Sequence, residues 1–149
     1  TLVGMLGNGD NAAGQEAVNT YCKNNGYTDT SMGRMLLEKA SANENYTSAR
    51  DCSVFLKNIY ENKLEHSEDM LNLLKQQTRT EKIPKGIPSG VETANKTGEL
   101  DHVENDAAIV FDGENPYIIC VMADNLSDTT EARQRIVDIS SVVYENISK

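Results

Sequence analysis

Three cysteines and two histidines are all that this 149-residue chain offers to a disulfide or a soft metal. Cys22, Cys52 and Cys120 are too few and too scattered for a disulfide framework or a zinc site. Cys52 and Cys120 sit in apolar patterns and read as buried free thiols. His66, in "LEHSED", and His102, in "LDHVEN", lack a second His or Cys at metal-ligand spacing and read as surface residues. No metal and no other cofactor is expected. Long apolar runs are missing too: none approaches the roughly 20 residues of a membrane helix, and no signal-peptide pattern opens the chain. Basic residues are in the minority, 14 Lys and Arg against 23 Asp and Glu, for a net charge of −9. That balance argues against nucleic acid or an anionic membrane surface as a partner.

What remains suffices for one domain with a real core, since 38% of the residues are apolar and 25% charged. Leu2 to Leu6 reads as the last turns of a helix, and "GNGDNAAG" as a turn-rich loop. Residues 15–25 predict a helix with Ala17, Val18, Tyr21 and Cys22 on one face and Gly26 as its stop. "TDTSMGRMLLEKA" predicts a short helix with Met32, Met35 and Leu36 facing inward. Thr47 or Ser48 should cap a helix over about 49–62, whose Cys52, Phe55, Leu56, Ile59 and Tyr60 follow a core-facing stripe. Ser67 should cap another, carrying Met70, Leu71 and Leu74. Pro84, Gly86, Pro88 and Gly90 then end the helical half.

Beyond them the period changes. "GVETANKTG" predicts a strand, and "DAAIVFDGENPYIICVMAD" an antiparallel hairpin turning at Asp112 to Asn115. "AAIVF" and "YIICVM" are apolar throughout, so both faces of the sheet should be covered. A last helix over 131–147 follows a capping-box spacing at Asp128 and Glu131, and should bury Ile136, Ser140, Val143 and Ile147. The order implies an α+β fold: residues 1–83 mainly helical, then 84–149 with three antiparallel strands and a packed C-terminal helix.

Several polar features carry no chemistry. Glu61, Glu65, Glu68 and Asp69 form a solvated helix connection. The sequons at Asn45, Asn95, Asn125 and Asn146 are what an Asn-rich chain produces by chance. Gly-rich "GMLGNGDNAAG" has neither the preceding strand nor the spacing of a phosphate loop or a dinucleotide fingerprint. Lys96-Thr97-Gly98 stands apart by its context, on a predicted strand between a Pro/Gly crossover and a buried hairpin. A lysine there can hold a positive potential beside a nucleophile and a bound carboxylate. The threonine hydroxyl can hydrogen-bond that carboxylate. Glycine lets a ligand approach the backbone, and the N–H of Glu99 can face a developing oxyanion.

At these residues the chain resembles the penicillin-recognising serine enzymes, the class A β-lactamase-like superfamily. "IPKGIPSGVETANKTGELDHVENDAAIVFDGENPYIICVMAD" resembles that family's Lys-Thr-Gly strand and the strands that follow it, ahead of the closing helix. "VNTYCKNNGYTDTSMGR" resembles the helix and Thr-Asp-Thr turn before its omega loop, and "NYTSARDCSVFLKNIY" the helix after it. The resemblance covers nearly the whole chain in order. It implies the C-terminal portion of a β-lactamase/transpeptidase-like fold, in a serine hydrolase or acyl-transferase working through an acyl-enzyme. The substrate would be a β-lactam or a D-Ala-D-Ala-like peptidoglycan amide, and the location extracellular or in the cell envelope. Lys96 and the backbone N–H of Glu99 would be catalytic, and Thr97 and Gly98 substrate-binding.

Two departures qualify that implication. The family's Ser-x-x-Lys and Ser-Asp-Asn boxes are not in this chain. "NGDN" is no substitute, because using it leaves too few residues before "AVNTY" for the helix that follows that box. "TLVGMLG" then reads as that helix, with Ser-Asp-Asn upstream of Thr1. The expected partner is an N-terminal fragment of the same protein, or a second copy paired through an exposed strand edge, and the chain alone should not be acylated. The second departure is the glutamate that activates the deacylating water after the Thr-Asp-Thr turn. Counting from Arg34, its position falls at or near Leu36, and neither Glu38 nor Glu44 has the family's surrounding pattern. Slow deacylation follows, which favours a penicillin-binding or D,D-peptidase-like enzyme over an efficient β-lactamase. Two alternatives stand beside this: a non-catalytic β-lactamase-like binding or scaffold domain, and an unrelated interaction domain. The latter should show Lys96 pointing to solvent with no cleft beside its strand.

Overall fold

The computed structural model describes residues 2–36, 38 and 43–147. Along them run α1 (Leu2–Leu6), α2 (Asn11–Asn24), α3 (Ala49–Tyr60), α4 (Ser67–Lys75), a 3-10 turn (Ile83–Gly86), β1 (Glu92–Leu100), β2 (Val103–Phe111), β3 (Tyr117–Ala123) and α5 (Thr129–Ile147). This is the expected α+β order of helices, three antiparallel strands and a C-terminal helix. Two compact units meet in the chain between Asp51 and Cys52.

In the first unit α2 begins earlier than its apolar stripe predicts. Asp10 Oδ1 accepts from the N–H groups of Ala12 (2.8 Å) and Ala13 (3.3 Å), so "NAAG" is the helix's first turn and not a loop. The helix expected over "TDTSMGRMLLEKA" is missing from its described part. Asn19 instead holds the N–H of Met32 (2.7 Å) and its C=O (3.0 Å). Asn45 Oδ1 accepts from the N–H groups of Gly33 and Arg34, and Ser31 bridges Tyr46. Side chains have taken the backbone groups a helix would use. Leu36 is 83% exposed and not inward-facing, and Leu37 with residues 39–42 lies outside the described residues. Ser48 caps α3, its Oγ accepting from Asp51 N–H (3.1 Å). The buried Asp51 carboxylate accepts from Asp29 N–H (2.8 Å) and the Thr30 hydroxyl (2.9 Å).

The second unit is built on the sheet, in strand order β1-β2-β3. One face packs Leu56 of α3 and Leu71 and Leu74 of α4 against Ala94, Ala107 and Ile109. On the other, Ile136 of α5 packs with Ile83, Ile87, Ala108, Val110 and Ile119. Both faces are covered, as the unbroken apolar runs require. Asp128 Oδ1 caps α5 through Thr130 N–H (2.8 Å) and Glu131 N–H (3.0 Å). Ile147, expected inside, is 44% exposed, because it lies about two turns past Ser140, the last buried position of α5. The cap of α4 also differs: His66 occupies it with φ 61°, while Ser67 Oγ donates to Leu64 C=O (2.8 Å).

The 3-10 turn is pinned between β2 and α5. Ile83 N–H donates to Asp106 Oδ2 (3.0 Å), and Ile83 C=O accepts from Ser140 Oγ (2.8 Å). Buried backbone groups that no strand or helix pairs are thus satisfied by side chains. Gly86 permits the close approach, since a Cβ there would lie 2.4 Å from Val137 O and 2.8 Å from Ser140 Cβ. Gly86→Ala is expected to cost about 2 kcal/mol. A lower urea midpoint at unchanged slope is the expected readout; an unchanged midpoint would refute the tight seating.

Candidate active site

β1 is an edge strand whose ladder partner is β2. The register sets Lys96 opposite Ala107, Thr97 opposite Asp106, Gly98 opposite Asn105 and Glu99 opposite Glu104. Strand alternation places Lys96 on the face of Ala94 and Ala107, beneath α3 and α4, and Thr97 and Glu99 on the α5 face. Lys82 Nζ lies 3.3 Å from Gly98 O and 3.1 Å from Asn105 O. One atom reaches both carbonyls only if they point toward each other across the ladder, so Gly98 and Asn105 form a hydrogen-bonded pair. The N–H and C=O groups of Thr97 and Glu99 therefore face the free edge. A cleft of about 470 Å³ lies there, lined by Gln77, Arg79, Lys96, Thr97, Gly98 and Glu99. Lys96 is exposed and its ammonium donates to Thr97 C=O, while Thr97 is 7% exposed. All four residues singled out in the sequence line one cleft, so the strand without a cleft, required of an unrelated domain, is not found.

A row of five charges flanks the strand. Arg79 Nη1 pairs with Glu99 Oε2 (2.9 Å), and Glu99 Oε1 with Lys82 Nζ (3.3 Å). Lys82 then pairs with Glu104 Oε2 (2.6 Å), and Glu104 Oε1 accepts from Arg133 Nη2 and Nε (2.7 Å each). Desolvation pushes the Glu104 carboxyl up, but the hydrogen bonds from Arg133 and Lys82, with their charges, outweigh it and hold the group below its ordinary value. Glu99 follows the same pattern: desolvation opposes, and Lys82 and Arg79 prevail. Burial wins at Asp106, whose carboxyl is pushed up despite hydrogen bonds from Asn95 and Ile83 N–H.

The sequence matches the family described as the Beta-lactamase enzyme family over residues 5–147. The chain belongs to that family. Among solved structures it is similar to a β-lactamase from Sphaerobacter thermophilus, at 24% identity and a TM-score of 0.82, covering 91% of this chain and 54% of that one. It is also similar to PBP-A, at 23% identity and a TM-score of 0.78, covering 92% of this chain and 56% of that one. A β-lactamase from Burkholderia vietnamiensis matches at 16% identity and a TM-score of 0.76, covering 99% of this chain and 62% of that one. At these identities the structures establish the fold, and the chain spans little more than half the length of the first two. A comparison with curated protein sequences gives no match.

Within this β-lactamase-family chain, the charged partners of the Lys-Thr-Gly strand went unnoticed in the sequence. Neither Lys82 nor Glu104 carries a reading in the sequence, and Asp106 figures there only as the first residue of the predicted hairpin. The signal was nonetheless there: Glu104, Asp106, Ala108 and Val110 alternate onto one face of β2. Lys82, Glu104 and Asp106 are each no more than 1% exposed. In the first unit both carboxylates near the expected deacylation position are already engaged. Glu38 Oε2 accepts from Met35 N–H (2.9 Å), and Glu44 Oε2 pairs with Arg34 Nε (2.7 Å).

Proposed function

We propose that the complete protein is a serine hydrolase or acyl-transferase acting on a β-lactam or a D-Ala-D-Ala-type peptidoglycan amide. A serine Oγ, carried by an N-terminal segment with Ser-x-x-Lys, attacks the carbonyl carbon. The C–N bond breaks, its nitrogen takes up a proton, and an ester to the serine remains. Lys96 supplies a positive potential to the site and to the substrate carboxylate, and Thr97 hydrogen-bonds that carboxylate. Gly98 gives the ligand room against the backbone. Glu99 N–H donates to the oxyanion. The observation that carries this reading is the placement of these four residues along one cleft-lining free edge, in a chain matching the β-lactamase family over residues 5–147. A variant of PBP-A has been solved as an acyl-enzyme complex with penicillin G, which makes a penicillin the natural first probe. Peptidoglycan-type substrates place the protein in the cell envelope or outside the cell.

A second reading, a non-catalytic binding or scaffold domain, is favoured by the Glu99 carboxylate, which already pairs with Arg79 at the cleft. Incubation of the full-length protein with a fluorescent penicillin separates the two. Covalent labelling of a serine, located by peptide mapping, is expected; reversible binding without a covalent adduct would establish the scaffold reading instead.

A further inference from the structure

Glu99 and Glu104 stand directly opposite each other on one face of the β1–β2 ladder, an arrangement of like charges that is unfavourable by itself. Lys82 lies between them, and Arg79 and Arg133 cover the outer ends. Three cations meet two carboxylates in this row, and the Asp106 carboxyl also lies within electrostatic reach of Lys82. Lys82 is the buried cation of the three, its side chain 1% exposed against 62% for Arg79 and 45% for Arg133. Its charge acts with the least screening by water.

We infer that Lys82 polarises the Gly98–Glu99 peptide and so strengthens the Glu99 N–H as a donor into the cleft. The inference rests on the acyl-transfer reading for its purpose, though not for its test. Lys82 Nζ donates to Gly98 C=O at 3.3 Å, and the nitrogen of that same peptide unit is Glu99 N. Carbonyl and N–H of one peptide are conjugated. A charged donor on the oxygen draws electron density from the nitrogen and makes its proton a better donor, and hydrogen bonds in such a series reinforce one another. The contacts to Asn105 O and Glu104 hold Nζ in place, so no reorganisation is needed when negative charge develops. Lys82 does not line the cleft, which makes it a positioning residue and not a catalytic one. With Arg79 it also pairs the Glu99 carboxylate, whose free charge would oppose an oxyanion at its own N–H.

The test uses the full-length protein labelled with carbonyl-¹³C glycine and ¹⁵N glutamate. This chain contains two Gly–Glu peptides, Gly98–Glu99 and Gly113–Glu114, and the second serves as an internal reference. Lys82→Gln removes the charge yet leaves each carboxylate an arginine, while Glu104→Gln frees Lys82 from its shortest ion pair. The Glu99 ¹⁵N resonance is expected to move upfield in Lys82→Gln and downfield in Glu104→Gln, with Glu114 unmoved. Acylation by a fluorescent penicillin should fall about fourfold in Lys82→Gln, a fraction of what losing a whole oxyanion donor costs. The acyl C=O stretch should shift to higher wavenumber, and Lys82→Arg should restore both. A Glu99 resonance that stays in place, or moves the same way in both variants, overturns the inference, because a purely structural role predicts no opposite signs. Should Lys82→Gln fail to fold, absence of the downfield shift in Glu104→Gln overturns it alone. A parent protein that takes up no penicillin defeats the acyl-transfer reading, and the amide shifts still decide whether Lys82 polarises the peptide.

Discussion

Replacing Lys96 by alanine is expected to slow acylation of the full-length protein by a penicillin on the order of 10²–10³-fold, as loss of a preorganised electrostatic group does elsewhere. The fold should barely notice. Lys96 is exposed, it lines the cleft, and its hydrogen bond runs to the adjacent Thr97 carbonyl. Substitutions at such positions stay within about 0.5 kcal/mol. The loss should therefore appear in the second-order acylation constant at an unchanged unfolding midpoint. Lys96→Arg, which keeps the charge but changes its shape and hydration, should recover part of the rate. Wild-type acylation in Lys96→Ala would remove this strand from the chemistry altogether.

The acyl-enzyme, once formed, should persist. Positioned general bases contribute on the order of 10²–10⁴-fold to hydrolytic steps, and the two carboxylates nearest the expected base position are tied to Met35 N–H and Arg34. Leu36 offers an exposed apolar side chain at that position. Mixing enzyme with excess penicillin should release about one equivalent of reaction in a burst, followed by a steady rate slower by that factor than base-assisted turnover. Intact mass of the adduct, followed after removal of free penicillin, measures the same step directly. Many rapid turnovers per molecule would show that another group activates the water.

Much of the fold could be read in advance because its signals are local. The apolar runs of β2 and β3 and the capping aspartate of α5 each depend on a few neighbouring residues. Local signals fail where long-range partners decide the backbone. Asn19 and Asn45 hold Met32, Gly33 and Arg34 out of a helix from about a dozen residues away in sequence, and no window over "TSMGRM" contains that information. The start of α2 departs from its composition for the opposite reason: a local cap at Asp10 outweighs the loop-like character of "NAAG".

For the site, the sequence by itself singled out the residues to which the proposed chemistry is assigned. Lys96, Thr97, Gly98 and Glu99 follow one another along a predicted strand between a Pro/Gly crossover and a buried hairpin, and that context with the family resemblance singles them out. The tertiary structure alone decided what surrounds them. That Lys82 meets Gly98, 16 positions away, and Arg133 meets Glu104, 29 positions away, depends on a turn pinned to α5 and on a ladder register. Burial is a property of that assembly and not of the residues. An isolated lysine in "TEKIP" is a solvated cation; under β1, between two carboxylates and two carbonyls, it becomes a buried charge held in one place.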